Sequence, residues 1–490
     1  MADQTGRGKT AELLIGGRTM AAKDGRTFDR IDPFTGEVAT RAAAASLEDA
    51  DAAVAAAKAA WPAWRDLTAT ERRKRLLKAA DNLDSLTGEF ISTGIAETGS
   101  TPGWYGFNVM LAANMLREAA AMTTQITGQV LPSGVPGNVA MAVRRPCGVV
   151  LGIAPWNAPV ILGVRAVAMP LACGNTVVLK GAETCPGLHR LIGTALQEAG
   201  LGDGVINVIL NAPEDAPAIV ERLIANPSVR RVNFTGSTPV GRIIAQLAAK
   251  HLKPALLELG GKAPLLVLHD ADLDEAAAGA NFGAFMNQGQ ICMSTERIIV
   301  DSSIADEFVA KLAARASGLL AGDPRRSDVK LGAMVSAEAA RRVAGMVKDA
   351  VDKGARLVTG GGVEGAVMQA TVLDGVTPEM KLYSEESFGP VVSVIRVQGE
   401  DEAIRVANDS EFGLSAAIFS RDTARALRVA DRIESGICHI NGPTVHDEAN
   451  MPFGGVKDSG YGRFGGTAAI AEFTELRWIT LQTEPRHYPI

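Results

Sequence analysis

Basic charge, paired cysteines and long apolar runs are all scarce in this chain, and each shortage removes a class of protein. Among 490 residues, Lys and Arg number 49 against 55 Asp and Glu, a formal net charge of −6. Nucleic acids and anionic membranes favour basic surfaces, so neither is expected as a partner. The five cysteines, at 147, 173, 185, 292 and 438, are odd in number and include no C-x-x-C pair. That points away from a disulfide framework and from a zinc ribbon. No apolar run reaches the length of a membrane span. The opening MADQTGRGKT is polar, without the apolar core of a signal peptide, so a cytoplasmic location is expected. The Walker lysine after a G-x-x-x-x-G frame is missing too, which removes the P-loop NTPases.

What is present is an ordinary globular composition, 47% hydrophobic and 21% charged. The length suits two or three domains with a core large enough to need no staples. There is no internal repeat. An Ala-rich stretch, 46–60, reads as a packed surface helix that stops near Trp61-Pro62.

From about residue 143 the pattern changes to short β-branched runs alternating with amphipathic stretches. Strands are expected at 148–154, 176–180, 205–210 and 231–234. Helices are expected up to 171 and over 186–199, 216–225 and 237–250. Strand–helix–strand units of this length imply parallel strands with crossover helices, hence a doubly wound α/β sheet. A second α/β region follows Glu258, with strands at 264–267, 298–300 and 391–397. The polar stretches 127–138 and 359–364 read as loops or hairpin tips.

Parallel sheets bind ligands at the carboxyl ends of their strands. One such end runs Phe234-Thr-Gly236-Ser237, where Gly236 lets a phosphate approach the backbone and Ser237 can cap the next helix or donate its hydroxyl. A capped turn without a ligand fits those two residues equally well. Gly460-Tyr-Gly462-Arg-Phe-Gly465 matches the dinucleotide fingerprint, but no apolar strand leads in and no βαβ unit follows, so it reads as a glycine-rich turn. Lys180 ends a strand with Glu183 three residues on. An adenosine ribose fits between them, although from these two residues alone a solvated ion pair is the plainer reading.

Cys292 follows Asn287-Gln-Gly-Gln, a break in regular structure after a helical run over 273–286, where a side chain can be presented to a cleft. The other four cysteines lie in apolar or turn settings and are assigned no chemistry. Glu258 stands among leucines in Leu256-Leu-Glu-Leu-Gly-Gly-Lys262. Burial there raises its pKa toward the range of a general base, with a satisfied structural carboxylate as the plain alternative. Asn157, after Pro155-Trp156, can give its amide to an oxyanion with the Cys292 N–H as second donor. By itself it reads as the N-cap of the next helix.

Seven segments in order resemble the aldehyde dehydrogenase superfamily over nearly the whole chain. They are Pro155-Trp-Asn157, Lys180-Gly-Ala-Glu183, Phe234-Thr-Gly-Ser237, Glu258-Leu-Gly-Gly261, Gly289-Gln-Ile-Cys292, Glu386-Ser-Phe-Gly-Pro390 and Pro452-Phe-Gly-Gly-Val-Lys457. The resemblance implies Cys292 as nucleophile, Glu258 as base and Asn157 at the oxyanion. It implies NAD, with NADP as the possible alternative, against Ile153, Pro155, Trp156, Lys180, Glu183, Gly236, Ser237, Val240, Glu386 and Phe388. A carboxylate at Glu183 favours NAD, since it repels a 2′-phosphate. The implied fold has a Rossmann-like cofactor domain (1–126 and 146–257), a catalytic α/β domain (258–455) and a small bridging β oligomerisation element (127–145 and 470–490). Family members are dimers or tetramers.

A narrower similarity, to the vanillin and salicylaldehyde dehydrogenases of that family, is carried by Asn157-Ala-Pro-Val-Ile-Leu-Gly-Val-Arg165, Asn441-Gly-Pro-Thr-Val-His-Asp-Glu448 and Ser459-Gly-Tyr-Gly-Arg-Phe-Gly-Gly466. It implies an aromatic aldehyde as the small-molecule substrate, in a pocket of Ala158, Leu162, Arg165, Met286, Ile291, Met293 and Phe453. The small Ala158 leaves room for a ring. No metal is expected, because the adjacent residues His446-Asp447-Glu448 do not converge on one ion. Gly181 stands where many relatives have Pro, and Ala166 where many have a basic residue, with Arg165 beside it. The alternatives are an aliphatic or semialdehyde dehydrogenase, a coenzyme-A-acylating enzyme, and a non-catalytic protein on the same scaffold.

Overall fold

The computed structural model describes residues 9–326 and 328–490. Residues 1–8, which carry most of the polar opening and the start of the range 1–126, lie outside the described residues.

Five parallel strands form the centre of the first sheet. Their spatial order is Ala255–Glu258, Val229–Thr235, Val149–Ile153, Thr176–Lys180 and Ile206–Ile209. Every residue of the last three is buried, which is why they read as continuous β-branched runs rather than alternating ones. The chain enters at Val149–Ile153 and steps outward to Ile206–Ile209. It then crosses back to Val229–Thr235 on the other side. That reversal opens a crevice at the carboxyl ends of Val149–Ile153 and Val229–Thr235. Antiparallel strands Leu13–Ile15 and Arg18–Met20 extend one edge, and Gly460–Tyr461 closes the other against Ala255–Glu258. The glycine-rich segment at 460–465 therefore starts as an edge strand and is not a turn throughout.

The crossover helix Pro159–Ala172 is buried along its whole length, because it is packed between the sheet and the helix Pro102–Met122. The Ala-rich helix spans Leu47–Arg65 and does not stop at Pro62. Pro62 and the preceding turn at Lys58 are both exposed. Water can therefore satisfy the carbonyl that loses its N–H partner. Trp64, buried and donating to the Leu171 carbonyl at 3.1 Å, holds the final turn in place.

The second sheet has seven strands, ordered Arg356–Thr359, Thr371–Asp374, Val391–Val397, Thr295–Asp301, Ala263–Val267, Ser415–Phe419 and Ile437–Ile440. All neighbours are parallel except the first pair. A third sheet joins Gln129–Leu131, Asn138–Pro146 and Thr474–Gln482, so the stretch 127–138 holds a strand as well as a loop. Val130 and Trp478, 76% and 75% exposed, lie on this sheet. No helix among the described residues is long and apolar enough to cross a membrane.

Candidate active site

The helix Leu273–Phe285 breaks into a short turn, Met286–Gly289, just before Cys292. Asn287 and Gln288 adopt left-handed backbone angles, φ 49° and 56°, which non-glycine residues rarely hold without support. Buried amides supply that support. Asn287 Oδ1 accepts from Ser100 Oγ at 2.6 Å and its Nδ2 donates to the Asn157 carbonyl at 3.0 Å. Gln288 donates to the Ala333 carbonyl at 2.9 Å and accepts from the Gly332 N–H at 3.0 Å. Gln290 accepts from the Val335 N–H at 2.9 Å. The polar lead-in that reads as a break in the sequence is thus a fixed mount for the thiol. Gly261 has no Cβ, which lets the Cys292 carbonyl lie directly against it.

Glu258 ends its strand fully buried, and neither carboxylate oxygen has a hydrogen-bond partner among the described residues. Desolvation pushes its pKa up to about 7, against the opposing pull of the Arg165 guanidinium. Burial and the Glu258 carboxylate together raise the Cys292 thiol well above its ordinary value. The resting thiol is therefore protonated, with a carboxylate near neutrality lining the same cleft.

Asn157 does not cap the following helix. That position falls to Ala158, without a side-chain bond, because Pro159 opens the helix. The Asn157 amide donates to the Gln290 carbonyl at 3.0 Å, and its own carbonyl accepts from Trp104 Nε1 at 3.1 Å. One N–H of the amide remains beyond that bond.

Two cavities meet at Cys292 and Asn157, which line both. The first, about 260 Å³, lies at the strand ends and is walled by Pro155, Trp156, Thr235, Gly236, Ser237, Glu258, Leu259, Gly260, Glu386 and Phe388. Ser237 occupies the N-cap of the 13-residue helix Thr238–Lys250 but makes no capping bond, so its hydroxyl and the helix's first N–H groups are free for an anion. A Cβ on Gly236 would run into the Phe234 ring. Lys180 and Glu183 form an ion pair in which the lysine is buried, and Asn211 also donates to Glu183 at 2.9 Å. Neither residue lines the 260 Å³ cavity. Ile153 is buried in the strand below it, and Val240 is 44% exposed on the first turn of the helix after Ser237. These features fit a dinucleotide: an unoccupied helix N-terminus for its phosphates, and carboxylate and aromatic walls toward Cys292.

The second cavity, about 410 Å³, is largely apolar. Ala158, Leu162, Arg165, Met286, Ile291, Met293 and Phe453 all line it, with Trp104, Phe107, Ile161, Phe282, Pro443, Val445, His446 and Asp447. Arg165 is paired with Asp447, and its guanidinium carbon lies 4.2 Å from the centre of the Phe453 ring. Ala166 packs instead against Gly152 of the sheet.

The sequence reading missed the residues that hold the Glu386 segment. Glu296 accepts from Ser387 N and Oγ at 2.9 and 2.8 Å and from Phe388 N at 3.1 Å, while Lys262 Nζ donates to its other oxygen at 2.7 Å. Glu386 accepts from the Gly261 N–H at 2.9 Å, and burial pushes its pKa up to about 7. Phe388, at φ 47°, turns edge-on to Trp156 with ring centres 5.6 Å apart. A lysine directly after Glu258-Leu-Gly-Gly261 was the available signal.

A doubly wound sheet with a cleft at its switch point, ending on a buried thiol and a carboxylate near neutrality, defines an enzyme of the nucleotide-dependent dehydrogenase class. A model of the aldehyde dehydrogenase family matches residues 20–479. The chain is 68% identical over 478 residues to a vanillin dehydrogenase of Pseudomonas fluorescens, covering 98% of this chain and 99% of that protein. It is 50% identical over 479 residues to a salicylaldehyde dehydrogenase of Pseudomonas putida, with 98% and 99% covered. The crystal structure of a salicylaldehyde dehydrogenase from Pseudomonas putida G7 complexed with salicylaldehyde superposes with a TM-score of 0.97 at 50% identity, covering 99% of this chain and 100% of that one. The chain belongs to the aldehyde dehydrogenase family. It is an aldehyde-oxidising enzyme that works with NAD(P).

Proposed function

We propose that this enzyme oxidises aromatic aldehydes to carboxylic acids, with NAD as the preferred cofactor and Cys292, Glu258 and Asn157 as its catalytic residues. The observation that carries the substrate class is the apolar, aromatic-walled cavity of about 410 Å³ opening on Cys292. The relatives named for vanillin and salicylaldehyde support it. The arginine in the lining, Arg165, is already paired with Asp447, which disfavours semialdehydes carrying a carboxylate.

Glu258 accepts the Cys292 proton, and the thiolate attacks the carbonyl carbon to give a thiohemiacetal. Asn157 Nδ2 and the Cys292 N–H hold its oxyanion. When bound, NAD(P) supplies a hydride acceptor, and what remains on the protein is a thioester at Cys292. Glu258 then takes a proton from water, which attacks the thioester and releases the acid. The same carboxylate near neutrality serves both proton transfers. Its presence favours water over coenzyme A as the acyl acceptor.

For the cofactor, Ser237 and the helix N-terminus would take the pyrophosphate, Glu386 the nicotinamide ribose, and Lys180 with Glu183 the adenosine ribose. Charge repulsion at Glu183 would disfavour a 2′-phosphate. The domain limits proposed are 1–126 with 146–257, 258–455, and 127–145 with 470–490. The last would pair copies into dimers or tetramers in the cytoplasm.

The test is the absorbance of reduced nicotinamide formed by purified protein with NAD or NADP and a panel of aldehydes. Preference for substituted benzaldehydes with NAD is the expected result. Preference for aliphatic aldehydes discards the aromatic assignment, and NADP preference discards the role given to Glu183.

A further inference from the structure

The apolar cavity beside Cys292 has one charged wall, the Arg165–Asp447 ion pair. Both side chains are more than nine-tenths buried, at 6% and 8% exposure. Asp447 Oδ2 accepts from Arg165 Nη2, but Oδ1 is buried with no hydrogen-bond partner among the described residues. An ion pair serving only the fold would have both oxygens bonded, because a buried acceptor without a donor opposes folding.

Building on the aromatic reading above, we propose that Asp447 Oδ1 accepts the hydrogen bond of a phenolic hydroxyl on the substrate ring, so that the enzyme selects hydroxylated benzaldehydes. Several features fit this role. Arg165 is fixed on the Phe453 ring, 4.2 Å from its centre, so Asp447 is held from the side away from its free oxygen. The pair carries no net charge and matches a neutral donor better than a second anion. Asp447 and Phe453 also border a separate cavity of about 290 Å³, which gives the carboxylate room to turn toward a ring. Burial raises the Asp447 carboxyl above its ordinary value with Arg165 opposing, and a bound donor would stabilise the charged form further.

The measurement is kcat/KM for the three hydroxybenzaldehydes, each against its O-methylated counterpart, which keeps the shape and loses the donor. In the wild-type enzyme at least one hydroxyl isomer is expected to exceed its methyl ether by about tenfold or more, the scale of one buried hydrogen bond to a charged acceptor. In Asp447→Leu that ratio is expected to fall within about threefold of unity. The double variant Arg165→Met/Asp447→Leu should do the same without leaving a buried unpaired charge. Because each ratio is taken on one preparation, the folded fraction cancels. A flat ratio for all three isomers in the wild type, or a ratio that survives in the double variant, overturns the proposal. Turnover of benzaldehydes with a flat ratio overturns it alone. Absence of turnover with every benzaldehyde overturns the aromatic reading with it.

Discussion

Cys292 stands between two chambers of opposite character. The cleft at the ends of the first sheet is walled by hydroxyls, backbone and carboxylates, among them Thr235, Ser237, Gly260, Glu258 and Glu386. The cavity beneath the helix Pro159–Ala172 is walled by Trp104, Phe107, Ile161, Leu162 and Phe282, and its one arginine is neutralised by Asp447. The first is built mainly from short peptides at strand ends. The second draws on Pro102–Met122, Pro159–Ala172, Leu273–Phe285, the Cys292 loop and the segment 443–453. Chemistry thus sits on local peptides, and the choice of aldehyde sits on packing between distant ones.

The sharpest break of this contrast is at the neck itself. Cys292→Ala should abolish oxidation with every aldehyde, a loss of at least about a thousandfold in reduced-nicotinamide formation, since no other nucleophile lines the junction. Retained activity would remove the thiol from the mechanism. Next comes Glu258→Gln, expected to slow steady-state turnover by about a hundredfold or more. The first turnover should suffer less, because removing the carboxylate also removes a neighbour that raises the thiol. A first-turnover burst in rapid mixing checks this, and equal loss in both phases would confine Glu258 to thiol activation.

The same group sets the pH dependence. Its carboxyl, pushed up to about 7, is protonated below that pH and can no longer accept a proton. The rate should therefore fall on the acid side, approaching about tenfold per unit well below pH 7, with the break lost in Glu258→Gln. A profile flat from pH 5 to 8 would contradict the assignment.

Two smaller perturbations separate the chambers. Ala158→Phe fills the apolar side and should lower kcat/KM for benzaldehydes by about ten- to a hundredfold, with much less effect on short aliphatic aldehydes. Gly236→Ala puts a Cβ against the Phe234 ring on the polar side and should raise the KM for NAD by about three- to tenfold, leaving the aldehyde preference unchanged. If either variant disturbed both preferences equally, the two chambers would not be functionally separate.

Much of the parallel core was legible in advance. The strands at 176–180 and 391–397 lie where the β-branched runs put them, because buried parallel strands leave an unbroken apolar signature. The helices at 216–225 and 186–198 followed from their period. Pro62 misled, since a proline stops a helix only where its orphaned carbonyl has no water and no packing compensates. Asn157 resembled a cap until Pro159 took the first helical position. The strand Gln129–Leu131 hid in a polar stretch because all three of its residues are exposed. Lys262 and Glu296 were passed over as well, for 34 residues of chain separate them before the fold pairs them.

The sequence by itself determined the strand–helix alternation, the switch in strand order and the peptides bearing Cys292, Glu258 and Asn157. Each depends on local period, turn chemistry or a short motif, and such signals survive without knowledge of the rest of the chain. Only the tertiary structure decided that Glu258 lies in a dry pocket without a partner, that Arg165 is spent on Asp447, and that the thiol joins two cavities. Those properties depend on which distant side chains exclude water from a given atom, and no spacing along the chain records that.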